Sequence, residues 1–111
     1  VSFERACALT EVPDPGAKRV ELSGTAVAVV RDDDGHIHAV EDTCTHGAVS
    51  LSEGEVEGCV IECWLHGSQF DLTTGIPRTP PATAALLVFP VRIEGEDVFV
   101  DVAAPTNGPT R

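Results

Sequence analysis

The sequence predicts an all-β fold, and three observations predict it. Short segments rich in Val, Ile and Phe recur at near-regular intervals, separated by clusters of Gly, Pro, Asp and Ser. The run Asp32-Asp33-Asp34-Gly35 stands between two such segments, and Asp-Gly in that setting signals a hairpin. No repeat is present, and no stretch of helical length carries an apolar period near 3.6 residues. A chain of 111 residues is expected to form one domain, spanning 1–111.

Taken in order, residues 3–12 read as a first strand, closed by the turn chemistry of Pro13-Asp14-Pro15-Gly16. Residues 19–22 form a short second strand and the Val-rich 25–31 a third. The Asp-Gly turn then reverses the chain into 36–40. His36 and His38 lie two apart, on one face of that strand, and are expected to face solvent. Asp32 to Asp34 read as a solvated turn, because the further ligands of a calcium loop do not follow. Beyond Glu41-Asp42, Ser52-Glu53-Gly54-Glu55 is a turn, and 55–57 pairs with 59–62 as a hairpin that delivers Cys63. Residues 69–72 make the next strand and Thr73-Thr74-Gly75 a turn. Pro80-Pro81 stiffen the following connection, since neither has an amide hydrogen to satisfy. Strands at 84–89, 91–94 and 97–102 complete the domain, and 105–111 form a polar tail.

Seven Lys and Arg against eighteen Asp and Glu give a net charge of −11. That balance excludes a basic nucleic-acid footprint and suits electrostatic steering towards basic docking faces. No run of eighteen apolar residues occurs, so no membrane span is expected, and the first residues lack the pattern of a secretory signal. The expected location is the cytoplasm and the expected state a monomer.

The chemistry is concentrated in Cys44-Thr45-His46 and Cys63-Trp64-Leu65-His66, two short motifs that each offer one thiolate and one imidazole. Four such ligands suit tetrahedral zinc, but zinc motifs usually segregate Cys-Cys from His-His. Mixing one Cys with one His in each loop suits a two-iron cluster, with both cysteines on one iron and both histidines on the other. Gly47 follows the first pair, and Gly67-Ser68-Gln69-Phe70-Asp71 follows the second.

With those residues the chain resembles the Rieske ferredoxins that feed bacterial aromatic-ring-hydroxylating dioxygenases. The resemblance implies a Rieske fold: an antiparallel, β-sandwich-like base with an inserted cluster-binding subdomain at about 43–82. It implies one Rieske-type [2Fe–2S] cluster held by Cys44, His46, Cys63 and His66. Around it, Gly67 would admit backbone amides, Ser68 would offer a hydroxyl, and a loop containing Pro80 and Pro81 would cover the cluster. Trp64 would lie near the cluster, either in the core or against a partner. The protein would then be an electron carrier without catalysis of its own, taking electrons from an NAD(P)H-dependent flavin reductase, a ferredoxin reductase, and giving them to a terminal oxygenase.

Two imidazoles in place of two thiolates leave the oxidised centre formally neutral, which raises its potential into a window of about −150 to +300 mV. This sequence points to the low end. High-potential relatives carry an extra cysteine in each loop, where this chain has Val49 and Leu65, and a tyrosine where it has Phe70. Phenylalanine donates no hydrogen bond to a ligand sulfur. Two other readings stand beside this one: a small Rieske subunit of a nitrite-reductase-like complex, and a structural zinc-binding β module. Cys7 and Cys59 are spare. Cys7 is expected to be a small buried hydrophobe and Cys59 to sit in a turn, with a disulfide between them left open.

Overall fold

A computed structural model describes residues 3–13, 16–22, 24–42, 50–64, 69–78 and 86–102. Ten strands run through them: β1 (Glu4–Ala8), β2 (Gly16–Leu22), β3 (Thr25–Arg31), β4 (Ile37–Glu41), β5 (Glu55–Glu57), β6 (Val60–Glu62), β7 (Gln69–Asp71), β8 (Val88–Phe89), β9 (Val91–Glu94) and β10 (Asp97–Val100). The only helical pieces among the described residues are 3-10 turns at Leu9–Glu11 and Leu51–Glu53. No described helix is long and apolar enough to cross a membrane. The expected all-β class is what the chain forms.

The strands make three antiparallel sheets, ordered β1-β10-β9, β2-β3-β4-β8 and β5-β6-β7. The four-stranded sheet is the middle layer. Its Val27, Val29, Ala39 and Phe89 share a core with Cys7, Val98 and Val100 of the first sheet. Its Ala28, Val30, Val40 and Val88 share a second core with Ile61 and Phe70 of the third. Alternate residues of β3 therefore point into different cores, and Val27 to Val30 are all fully buried. This explains why that segment is a continuous apolar run, without the alternation of a strand half open to water. The third sheet falls within the range from which an inserted unit is expected.

Several elements differ from their predicted bounds for local reasons. The first strand stops at Ala8, because the Glu11 carboxylate accepts the Ala8 N–H at 2.9 Å and the chain enters a 3-10 turn. The Asp-Gly hairpin is a five-residue loop, with Arg31 opposite Ile37 and Gly35 in the left-handed region at φ +85°. Gly54 carries a tighter constraint. A Cβ there would lie 1.8 Å from the Glu62 carbonyl oxygen, so only glycine lets the start of β5 approach the residue before Cys63. Cys7 and Cys59 are both free thiols, one buried in the first core and one packed against the second, so the open disulfide question is answered in the negative. Cys7 is buried in β1 as expected.

Two expectations are corrected. Asp32 is not part of a solvated turn: its carboxylate is buried, and only Asp33 and Asp34 are exposed. His38 does not face solvent. It stands opposite Val30, on the face of β4 turned towards the third sheet, with its Nε2 2.8 Å from Asp32 Oδ2. His36 lies in the loop and is exposed, so the two histidines do not share a strand face.

Candidate metal centre

Of the predicted ligands, Cys63 lies among the described residues. Cys44, His46 and His66 lie outside them, as do Gly47, Gly67, Ser68, Pro80 and Pro81. What the structure does give is the framework from which all three of these segments depart.

The described residues on either side of 43–49 meet at one buried carboxylate, that of Asp42. Asp42 Oδ1 accepts the Ser52 N–H at 2.9 Å, and Oδ2 accepts the Ser50 hydroxyl, which also lies 2.7 Å from the Ser52 hydroxyl. The Asp42 carbonyl takes the Leu51 N–H at 2.6 Å, and its own N–H donates to Ala26 in the middle sheet. Arg19 Nε reaches the same carboxylate at 3.3 Å from a half-exposed position. Asp42 thus joins the exit and return of the first motif to each other and to the base.

The second motif hangs from a hairpin. Glu62 at the end of β6 pairs with Gln69 at the start of β7, with Cys63 and Trp64 leading into the segment between. Cys63 is a free thiol with no solvent exposure. Phe70 is equally buried and belongs to the same core as Cys63, with its backbone bridged to Pro77. Trp64, by contrast, is 52% exposed. The expectation that left it between core and surface resolves to the surface.

The third segment, 79–85, leaves beside the second and returns beside the first. The Gln69 carbonyl accepts the Arg78 N–H at 2.6 Å, and the Gly75 carbonyl accepts the Leu86 N–H at 2.8 Å. Leu87 then exchanges hydrogen bonds with Glu41, its N–H donating to Glu41 Oε1 at 2.7 Å. Leu51, Cys63, Phe70 and Leu86, which flank the three segments, share one core.

Asp71 closes the turn between β7 and this third segment. Its Oδ1 accepts the Thr73 hydroxyl at 2.5 Å and the N–H groups of Thr73 and Thr74. The Thr73 hydroxyl is the main reason its carboxyl is held below the usual range, with the two N–H groups and Arg78 helping against the opposing effect of burial. Asp42 and Asp71 are positioning residues that sequence reasoning left without a role, and Gly54 is one that it read only as part of a turn. Asp71 was visible as the last residue of the second motif. For Asp42 the only signal was its place just before the first.

Of the expected donors, the described residues include one, the Cys63 thiol, and it suits a centre with sulfur ligands. A buried, unpaired thiol stands at the root of one motif loop, and the roots of the other two segments are tied to the same core.

Comparisons with known proteins point the same way. The sequence matches the Rieske [2Fe-2S] domain over residues 2–90. It is 44% identical over 102 residues to the biphenyl dioxygenase ferredoxin subunit of Pseudomonas sp. (strain KKS102), covering 91% of this chain and 93% of that one. The structure resembles Sphingomonas yanoikuyae B1 ferredoxin with a TM-score of 0.83 at 33% identity, over 90% of this chain and 98% of that chain. It also matches a chain of the complex of reduced oxygenase and oxidised ferredoxin in carbazole 1,9a-dioxygenase, with a TM-score of 0.80 at 41% identity, over 88% and 91% of the two chains.

Proposed function

Because this chain belongs to the Rieske [2Fe-2S] domain family and serves as an electron-transfer ferredoxin with one such cluster, we propose that Cys44, His46, Cys63 and His66 hold that cluster. We further infer that the protein carries electrons in the cytoplasm from an NAD(P)H-dependent flavin reductase to the terminal ring-hydroxylating oxygenase of an aromatic-compound-degrading system. The observation that carries this reading is the spacing of the two mixed motifs together with the burial of Cys63 at the root of the second. The complex of oxygenase and ferredoxin in carbazole 1,9a-dioxygenase supports the choice of acceptor.

When bound, the cluster supplies a one-electron couple that is formally neutral when oxidised and singly negative when reduced. The protein's own residues set how that couple is presented. Cys63 would hold the cluster from a position with no solvent exposure, and Phe70 in the same core contributes apolar surface and no hydrogen bond. Asp42, just before the cluster-binding unit of about 43–82, and the β6–β7 hairpin within it hold the roots of the ligand segments. Trp64, exposed next to Cys63, offers an aromatic surface to a docking partner. The net charge of −11 speeds encounter with a basic face and makes that encounter salt-dependent.

The test is anaerobic mixing of the dithionite-reduced protein with an oxidised terminal oxygenase of the biphenyl type. Reduction of the oxygenase's Rieske centre, slowed as salt is raised, is expected. An oxygenase that stays oxidised at every salt concentration contradicts the proposed acceptor.

Phe70 provides a separate test of how the potential is set. Phe70→Tyr places a hydroxyl donor in the core shared with Cys63. A hydrogen bond that favours the reduced state by about 1.4 kcal/mol raises a one-electron potential by about 60 mV. Redox titration followed by visible absorption measures the shift. An unchanged potential in a variant with an intact spectrum contradicts the role given to Phe70.

A further inference from the structure

We propose that Asp32, His38 and Cys59 form a second metal site, a zinc site at the seam between the middle sheet and the third sheet. It shares no ligand with the two mixed motifs. His38 Nε2 lies 2.8 Å from Asp32 Oδ2 and 3.7 Å from Cys59 Sγ, and the three donor atoms all fall within 4.8 Å of one another. Both contacts of the imidazole use the same nitrogen. That is the arrangement of ligands converging on a point, and it differs from a relay, in which the two ring nitrogens would serve different partners.

The distances suit zinc. Ordinary Zn–N and Zn–S lengths put tetrahedral nitrogen and sulfur ligands about 3.6 Å apart, and nitrogen and oxygen ligands about 3.3 Å apart. The nitrogen–sulfur edge is already met, the nitrogen–oxygen edge requires His38 and Asp32 to part by about half an ångström, and the oxygen–sulfur edge lies within 4.8 Å. Asp32 is held in place, since Oδ1 accepts the N–H groups of Asp34 and His36, each at 2.9 Å, while Oδ2 faces His38 at 2.8 Å and, more distantly, the exposed His36 Nδ1 at 3.8 Å. The side chains of Asp32 and His38 are only 4% and 15% exposed. One thiolate, one carboxylate and one neutral imidazole balance the charge of a divalent ion, which suits a buried seam. A water completes the fourth position.

The surroundings assign the site a mechanical place. The Asp33 N–H donates to the Gly58 carbonyl at 3.3 Å, and the Gly58 N–H donates to Asp33 Oδ2 at 2.7 Å. The β3–β4 loop and the β5–β6 turn are thus already clasped, and zinc adds a cross-link beside the clasp. The sheet so held contains β6, the strand that leads into Cys63. Without a metal the Cys59 thiol keeps its proton, because burial and the negative charges of Asp32 and Asp71 push it up. Zinc binding therefore releases that proton.

The test uses the iron-loaded protein, equilibrated with zinc chloride and freed of excess by gel filtration against a weak chelator. Stoichiometric zinc with full retention of iron is expected, and zinc-edge X-ray absorption should show a sulfur neighbour at about 2.3 Å. Cys59→Ala and His38→Gln should each keep iron and visible spectrum while zinc affinity falls by more than about tenfold. In the unaltered protein, zinc should also protect Cys59 from alkylation, read by mass spectrometry, so the test does not depend on the variants folding. No zinc uptake, equal uptake by the variants, unprotected Cys59, or uptake only as iron leaves would each overturn the proposal. Iron content and spectrum report on the Rieske centre separately, so failure of one reading is distinguishable from failure of the other.

Discussion

Cys63→Ser, and likewise His46→Ala and His66→Ala, is expected to abolish the visible chromophore and to remove the iron almost completely. The effect is large because each is one of the four ligands proposed above, and a serine hydroxyl stays protonated where a thiol gives a thiolate. For Cys63 the structure adds a second consequence. Its sulfur is wholly buried among Leu51, Phe70 and Leu86, so serine leaves a polar hydroxyl in an apolar core. In a domain of this size a metal centre contributes folding free energy directly, so the emptied variants should also unfold at lower temperature. Iron and acid-labile sulfide analysis alongside thermal circular dichroism gives both readings. A variant that keeps full absorption would remove its residue from the ligand set.

Asp42→Ala carries the next largest expected effect, about 3 kcal/mol of lost stability together with faster loss of the cluster. The substitution removes the acceptor of the part-buried Ser52 N–H and Ser50 hydroxyl, and each hydrogen bond left unmade out of reach of water costs about 1–3 kcal/mol. The Arg19 contact adds little, since that side chain is half in water and exposed pairs contribute about 0–1 kcal/mol. Asp42→Asn keeps an acceptor oxygen and should fall between the two. The check is an unfolding midpoint for each variant, with the rate of bleaching at a fixed temperature. Equal bleaching rates in Asp42→Ala and the unaltered protein would contradict the view that Asp42 ties the ends of the first ligand segment to the base.

The parts of this account that were legible in the sequence are those set by local spacing. The family could be read because each Cys–His pair lies within a few residues, and β3, β5 and β9 could be read because each is a β-prone run between turn residues. Sheet order was not legible, since nothing within 25–31 says that its alternate valines serve two different cores. Asp32 and His38 were misjudged for the same reason. A turn of three aspartates is ordinarily solvated, but here Asp32 is buried, and the turn is tied through Asp33 to Gly58, twenty-five residues later. Gly54 shows the limit most clearly. The sequence marks it as a turn residue, while its real constraint is the carbonyl of Glu62 across the hairpin.

The most direct measurement of the central claim is the low-temperature EPR spectrum of the dithionite-reduced protein. Two histidine ligands on the reducible iron should lower the average g clearly below that of all-cysteine ferredoxins, with nitrogen couplings resolved by ENDOR. A spectrum of the all-cysteine type, or a silent spectrum from a colourless zinc-containing sample, would contradict it.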